Sequence, residues 1–423
     1  VSITQHRSVE LYLREEPGRD LQTAQLSGNF RNFAITGSFV GLVGLDKRRY
    51  DAIDALRAVA VLLVLIYHLT ARFPTDYTGL DHQIALPWRG ILGVFLFFIV
   101  SGYCIAMTAE KAESVWKFWL HRFTRLQPAF VVCIAITLGV VAVLGLPGRE
   151  TSVADGVRNV LWFPIFSKTP LVDGVYWSLM EEAKFYFVFG ILFYSFRSRI
   201  LTAFACFTAI GAFIHFSGWL NAPSQLIFPF KDVARSYFFF PYSLFFLAGI
   251  AARRSGFLAQ AAVFSAVSAA FWMVWGNTLF TVLAIAIAII GMVGVQVRGA
   301  QIWRPITYLG LISYPLYLLH QNVGISLIRF LGPYISDSYL RIAIAAGVVL
   351  ALAALVSWSV EHRFRHWLEA TIVGAVSRAL PTLPRWLSLN QRRSSLRPKP
   401  ITPVPVPVQP RAPTGSFQGP AEE

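Results

Sequence analysis

The segment ALRAVAVLLVLIYHLTARF, residues 55–73, is apolar over the thickness of a bilayer, yet it carries Arg57 near one end and His68 eleven positions later. Runs of this length dominate the chain. A hydrocarbon core about 30 Å thick takes about 20 apolar residues per helix, and about ten such runs follow one another, separated by charged or Gly- and Pro-bearing breaks. They fall near 54–73, 90–108, 128–146, 176–196, 200–218, 237–252, 257–275, 278–297, 305–330 and 340–360. In lipid every backbone polar group must be satisfied within the protein, so long unbroken runs select helices. The predicted fold class is an all-α polytopic membrane protein of about ten transmembrane helices. With 55% hydrophobic and only 14% charged residues, the chain is too apolar for a soluble globular protein.

The balance of 37 Lys+Arg against 22 Asp+Glu gives a net charge of +15. In a soluble protein this would suggest nucleic acid. Here no nucleic-acid partner is expected, because the basic residues gather on alternate loops, around 47–49, 111–125, 197–199, 253–254 and 298–304. Cytoplasmic loops carry such an excess, so both termini are predicted to be cytoplasmic in the cell (inner) membrane. Residues 1–49 form a polar N-terminal extension without the charged, apolar and small-residue order of a leader, and are expected to be disordered. The membrane domain spans 50–368. A basic and then Pro-rich cytoplasmic tail, 369–423, cannot bury a core. Cys104, Cys133 and Cys206 lie in apolar runs with no metal-ligand spacing, and no metal is expected.

Ionisable residues inside spans are costly and point to function. At about 100° per residue, Arg57 and His68 lie on one helix face, about 16 Å apart along the axis. A fixed cation thus shares a face with a group that moves protons near neutral pH. The bland reading is a snorkelling Arg and a hydrogen-bonded His. Arg122 and Arg125, three apart just before Pro128, sit at the cytoplasmic boundary, where forked guanidinium donors could hold phosphates or merely mark a cytoplasmic loop. In GVFLFFIVSGYCI, Ser101 and Gly102 allow close helix approach. WSLMEEAKFY places Trp177, Ser178, Glu181, Glu182, Lys184 and Tyr186 near the outer start of the fourth span. At least one carboxylate there should face the interior, either orienting His68 or pairing with Lys184. LGLISYPLYLLHQ gives a Pro-broken ninth span with His320 at mid-depth, either lining a cavity or satisfied within the core.

In order along the chain, these motifs resemble the acyltransferase 3 family of integral membrane acyltransferases. The resemblance covers about residues 50–365. It rests on Leu56-Arg57 followed by His68, the Gly93–Gly102 run, RxxRxxP at Arg122, Arg125 and Pro128, WSLxxExxFY from Trp177 to Tyr186, and ISYPLYLLHQ from Ile312 to Gln321. Phe95 departs from the polar residue frequent at its position, and the tenth span ends at Glu361-His362-Arg363-Phe364 without the usual proline. The resemblance implies O-acyl transfer, commonly of acetyl from cytoplasmic acetyl-CoA or another acyl-CoA, to a hydroxyl of a cell-surface carbohydrate, a glycolipid or a glycosylated metabolite. It implies His68 and Glu182 as catalytic residues and Arg57, Arg122 and Arg125 as the acyl-CoA site. Ser101, Trp177, Ser178, Tyr186, Tyr314 and His320 would line the cavity. His68 could act as general base or be acylated itself.

Two other classes fit the composition. A proton-coupled transporter would also carry intramembrane Arg, His and Glu, but should show repeat symmetry, and none is found. A non-catalytic membrane scaffold would tolerate loss of His68.

Overall fold

The computed structural model describes residues 51–73, 86, 89–221, 232–276, 278–297 and 302–364. The N-terminal extension and the Pro-rich tail lie outside them. The described residues are helical, with no strand among them. In order they form α1 (Asp51–Ile66), α2 (Ile91–Ala109), α3 (Val115–Leu144), the short α4 (Val153–Val160), α5 (Trp177–Phe196), α6 (Ile200–Asn221), α7 (Ser243–Arg254), α8 (Phe257–Trp275), α9 (Leu279–Gly294), α10 (Arg304–Leu311), α11 (Ser313–Leu319), α12 (Asn322–Leu331) and α13 (Ser338–Val356). Two π-helical turns extend helices of this set, Tyr67–Arg72 after α1 and Ser357–Phe364 after α13.

Seven helical segments among the described residues are long and apolar enough to cross a membrane. One of them, Gly174–Ser217, holds both α5 and α6, which meet at the 3-10 turn Arg197–Arg199. α9 and α12 are shorter apolar helices.

Two boundaries differ from those expected. The helix of the expected third span begins well before Pro128: α3 starts at Val115, where Ser114 caps it by accepting the Lys117 N–H at 3.3 Å, and runs through Pro128 for 30 residues. At 1.5 Å per residue that is about 45 Å, longer than the hydrocarbon core, so the basic first half belongs to the helix rather than to a loop. The segment expected as the ninth span is broken, but not at its proline. Pro315 lies in the first turn of α11, where its missing N–H costs no helical bond. The breaks fall instead at Ile312 and at His320–Gln321.

α2 is the centre of the packing, lying against α1 on one side and α7 on another. The α2–α7 contact is a backbone contact. A Cβ at Gly249 would collide with the carbonyl oxygen of Ile99, and one at Gly102 with that of Phe246. α10 crosses α1 in the same manner at Gly310, against the Asp54 backbone. Helices in lipid gain no hydrophobic drive from meeting, so such close approach lets dispersion and packing hold them. Aromatic rings fill the rest. Phe95 stacks on Phe245 with ring centres 4.1 Å apart, and Phe98 stacks on Phe246 at 4.5 Å. The departure at Phe95 is therefore part of an apolar stack.

Candidate active site

His68 lies in the π-helical turn at the end of α1. Such wide turns are rare and often mark functional positions. Its Nδ1 is 2.9 Å from the Val64 carbonyl oxygen and 3.2 Å from Nε2 of His320. His320 is fully buried at the α11–α12 break, and its own Nδ1 is 2.7 Å from the Tyr317 carbonyl oxygen. These partners assign the protons. A carbonyl only accepts, so each Nδ1 that faces one must carry hydrogen. His320 Nε2 then bears a lone pair and accepts from His68 Nδ1–H, which it shares with Val64. The basic nitrogen of His68 is Nε2.

Glu182 has different neighbours. Its Oε1 accepts from Ser101 Oγ at 2.6 Å and from Tyr186 Oη at 2.5 Å. None of its hydrogen bonds among the described residues goes to His68, so the direct Glu182–His68 pairing expected from the sequence is not formed. The reason is local: Tyr186 is one turn along the same helix, Ser101 faces it from α2, and these hydroxyls take the carboxylate. The imidazole is oriented by His320 instead. The ion pair with Lys184 belongs to Glu181, whose two oxygens each lie 3.2 Å from Nζ. Of the two roles weighed from the sequence, Glu181 thus takes the ion pair with Lys184, while Glu182 holds two hydroxyls.

The three arginines converge. Arg57, Arg122 and Arg125 all act electrostatically on the Cys104 side chain of α2, and Asp54 and Glu361 act on Arg57 from the same region. Arg122 also acts on Tyr186, which joins this cationic cluster to Glu182. Guanidiniums from α1 and α3 on one patch have the charge and forked donors that suit phosphates.

The other residues expected at a cavity tie helices together. Ser178 Oγ and Tyr317 Oη are 2.7 Å apart, Tyr314 Oη donates to the Leu126 carbonyl at 3.1 Å, and Trp177 packs on Tyr242 with ring centres 5.0 Å apart. Of the residues expected to line a cavity, Tyr186 bounds one of about 980 Å³, together with Trp119, Arg122, Phe187, Lys168 and Lys184 among others.

Sequence reasoning missed Asp173, which precedes α5. It is fully buried; Oδ1 accepts the Val175 N–H at 3.1 Å and Oδ2 the Asn322 N–H at 2.8 Å. Burial pushes its carboxyl up to about 6, against the two backbone donors and Arg149, which favour the charged form. An Asp placed just before a Gly and a helix start was the available signal, as a cap. Among the described residues no group of three or more His, Cys, Asp or Glu is arranged to hold a metal ion.

The family model for an acyltransferase domain matches residues 50–360. Among curated relatives, a protein of Staphylococcus aureus strain COL named "Putative O-acetyltransferase" is 30% identical over 173 residues, 36% of this chain and 26% of that protein. O-acetyltransferase OatA of S. aureus strain NCTC 8325 is 29% identical over 178 residues, 37% of this chain and 27% of that protein. The chain thus aligns with about a quarter of the length of these relatives. No solved structure matches it. With the match running through nearly all the described helices, the chain belongs to the acyltransferase 3 family.

Proposed function

We propose that this protein is a membrane-embedded O-acyltransferase that moves an acyl group, by default acetyl, from cytoplasmic acyl-CoA to a hydroxyl of a carbohydrate or glycolipid. The observation that carries the reading is the His68–His320 pair, with 3.2 Å between Nδ1 and Nε2. It leaves Nε2 of His68 as a base. That nitrogen takes the proton of the acceptor hydroxyl as its oxygen attacks the thioester carbonyl. The carbon–sulfur bond breaks, and the imidazolium returns the proton to the departing thiolate. While His68 is charged, Val64 and His320 both accept from Nδ1–H, which stabilises the ion in place of a carboxylate. Arg57, Arg122 and Arg125 bind the phosphates of the donor, and Glu182 fixes the Ser101 and Tyr186 hydroxyls beside Arg122.

The topology belongs to this reading as well. Ten spans, with the broken α10–α12 segment as the ninth, put both termini in the cytoplasm of a cell inner membrane. In support, Glu110 at the end of α2 pairs with Arg253 and Arg254 at the end of α7, so those two loops share one side, as the alternation of basic loops requires.

The test is His68→Ala in cells carrying the gene. The acyl increment on surface glycans, read by mass spectrometry, should fall to about a hundredth of wild type or less, because a general base contributes about 10²–10⁴-fold. Protein accumulation in the membrane should not change. Acylation near wild type in correctly inserted His68→Ala protein would refute the assignment.

A further inference from the structure

The chain is broken between α11 and α12 at His320–Gln321. The His320 N–H still bonds to the Leu316 carbonyl at 3.1 Å, so the residue hangs from the end of α11. Beyond it no continuous helix holds the ring against His68. An anchor from outside the break is needed, and one is present. Asn322, two residues after His320, opens α12, and helix-opening N–H groups have no partner within their own helix. Its N–H is taken by Asp173 Oδ2 at 2.8 Å, while Oδ1 of the same carboxyl holds the Val175 N–H in the 3-10 turn Gly174–Tyr176 that leads into α5.

We propose that Asp173 is a positioning residue: one side chain caps both α12 and the entry to α5, and so sets His320 against His68 while fixing the helix that carries Glu182. The role assigned to it in turnover rests on the reading of His68 as the base.

Neighbouring bonds converge on the same joint. Asn322 Nδ2 donates to the Val172 carbonyl at 2.9 Å, and Arg149 Nη1 donates to Asn322 Oδ1 at 3.1 Å. Tyr317, one turn before His320, donates through Oη to the Val175 carbonyl at 3.0 Å. The segment 172–175 is thereby bonded to residues on both sides of the break. The charged and titratable groups facing Asp173 are Arg149, Tyr176 and Tyr317. A small shift of the joint would move an imidazole out of hydrogen-bond range of its partner, and misplacement by about 1 Å can cost about a hundredfold in rate.

The experiment compares wild type with Asp173→Asn, Asp173→Glu, His68→Ala and His320→Ala, using the full chain in lipid nanodiscs with ¹⁵N-labelled histidine. Imidazole nitrogen shifts of His68 and His320, assigned by the loss of each signal in its Ala variant, report the pair without any acceptor. Acyl transfer to surface glycans in cells reports turnover, and acetyl-CoA titration of membranes reports donor binding. In Asp173→Asn the two imidazole signals should move while those of His121 and His215 stay. Transfer should fall about ten- to a hundredfold with donor affinity unchanged, and Asp173→Glu should restore part of both. Unmoved imidazole signals with wild-type transfer would overturn the proposal. If His68→Ala is inactive and the signals in Asp173→Asn do not move, the positioning role fails and the catalytic reading stands. If His68→Ala keeps activity while the signals move, the positioning stands and the catalytic reading fails. Should Asp173→Asn not accumulate, Asp173→Glu decides: its longer side chain must also move both signals, and unmoved signals overturn the proposal.

Discussion

The two sides of this helix bundle are held by opposite means. Where α2 meets α7 and α1 meets α10, backbone touches backbone across glycines, and stacked phenyl rings such as Phe95 on Phe245 fill what is left. Where α5 meets the α11–α12 break, polar side chains do the holding: Ser178 with Tyr317, Asp173 with Asn322, Glu182 with Ser101 across to α2. The first kind of contact is rigid and insensitive to charge. The second is directional, and each of its groups in lipid costs free energy once its partner is lost. On the proposed reading of His68 as the base, both kinds of contact serve to hold its imidazole still, one as a frame and the other as a mount.

The largest effect should come from the frame. Gly249→Leu drives a side chain into the Ile99 carbonyl of α2, with no flexible neighbour to yield. The protein should fail to accumulate in membranes, measured by immunoblot of the membrane fraction. A conservative change on the polar side, such as Ser178→Ala, should accumulate as wild type. If both accumulate equally, the glycine contact is not what holds α2 to α7.

Next in size is the carboxylate that holds two hydroxyls within the mount. Glu182→Gln keeps the shape and one acceptor for the Ser101 and Tyr186 hydroxyls but removes the charge that strengthens those bonds, each worth about 1.5–3 kcal/mol when ionic. Acyl transfer should fall about tenfold or more. Because Glu182 and His68 contact different groups, the loss should multiply with that of His68→Ala in a double-mutant cycle. Non-additive losses would mean the two residues act as one unit after all, brought together when substrate binds.

The contrast also shows what could be seen in the sequence. The apolar segments were visible because lipid demands about 20 apolar residues in a row. The arginines and histidines stand out by their cost in such surroundings, and the fold brings three arginines about Cys104 and His68 to His320. Long-range partners were not visible. Ser101 meets Glu182 across 81 positions, and His68 meets His320 across 252. No local periodicity fixes which of two nearby carboxylates turns inward, so Glu182 was matched with the wrong neighbour while Glu181 took the lysine. The start of α3 was hidden for a simpler reason: arginines followed by a proline read as a loop, whereas a 30-residue helix carries them past the hydrocarbon and tolerates Pro128 within it.

The smallest effect is expected from titrating the mount itself. The Asp173 carboxyl is raised from 3.8 to about 6 in the folded protein, so the folded state holds its proton more tightly than the unfolded chain. Its contribution to stability is complete below about pH 3.8 and is lost as pH rises through about 6, by at most roughly 3 kcal/mol. The carboxamide of the Asp173→Asn variant has no proton to lose. In detergent-solubilised protein the unfolding midpoint of wild type, relative to that variant, should therefore drop between pH 4 and pH 7 and level off on either side. A partly destabilised frame variant, Phe95→Leu, should run parallel to wild type over the same range, since nothing in the Phe95–Phe245 stack titrates. If the Asp173→Asn curve also runs parallel, the two backbone N–H donors and Arg149 outweigh burial and keep Asp173 ionised throughout. The mount would then be as insensitive to pH as the frame, and the division between the two sides would be one of geometry alone.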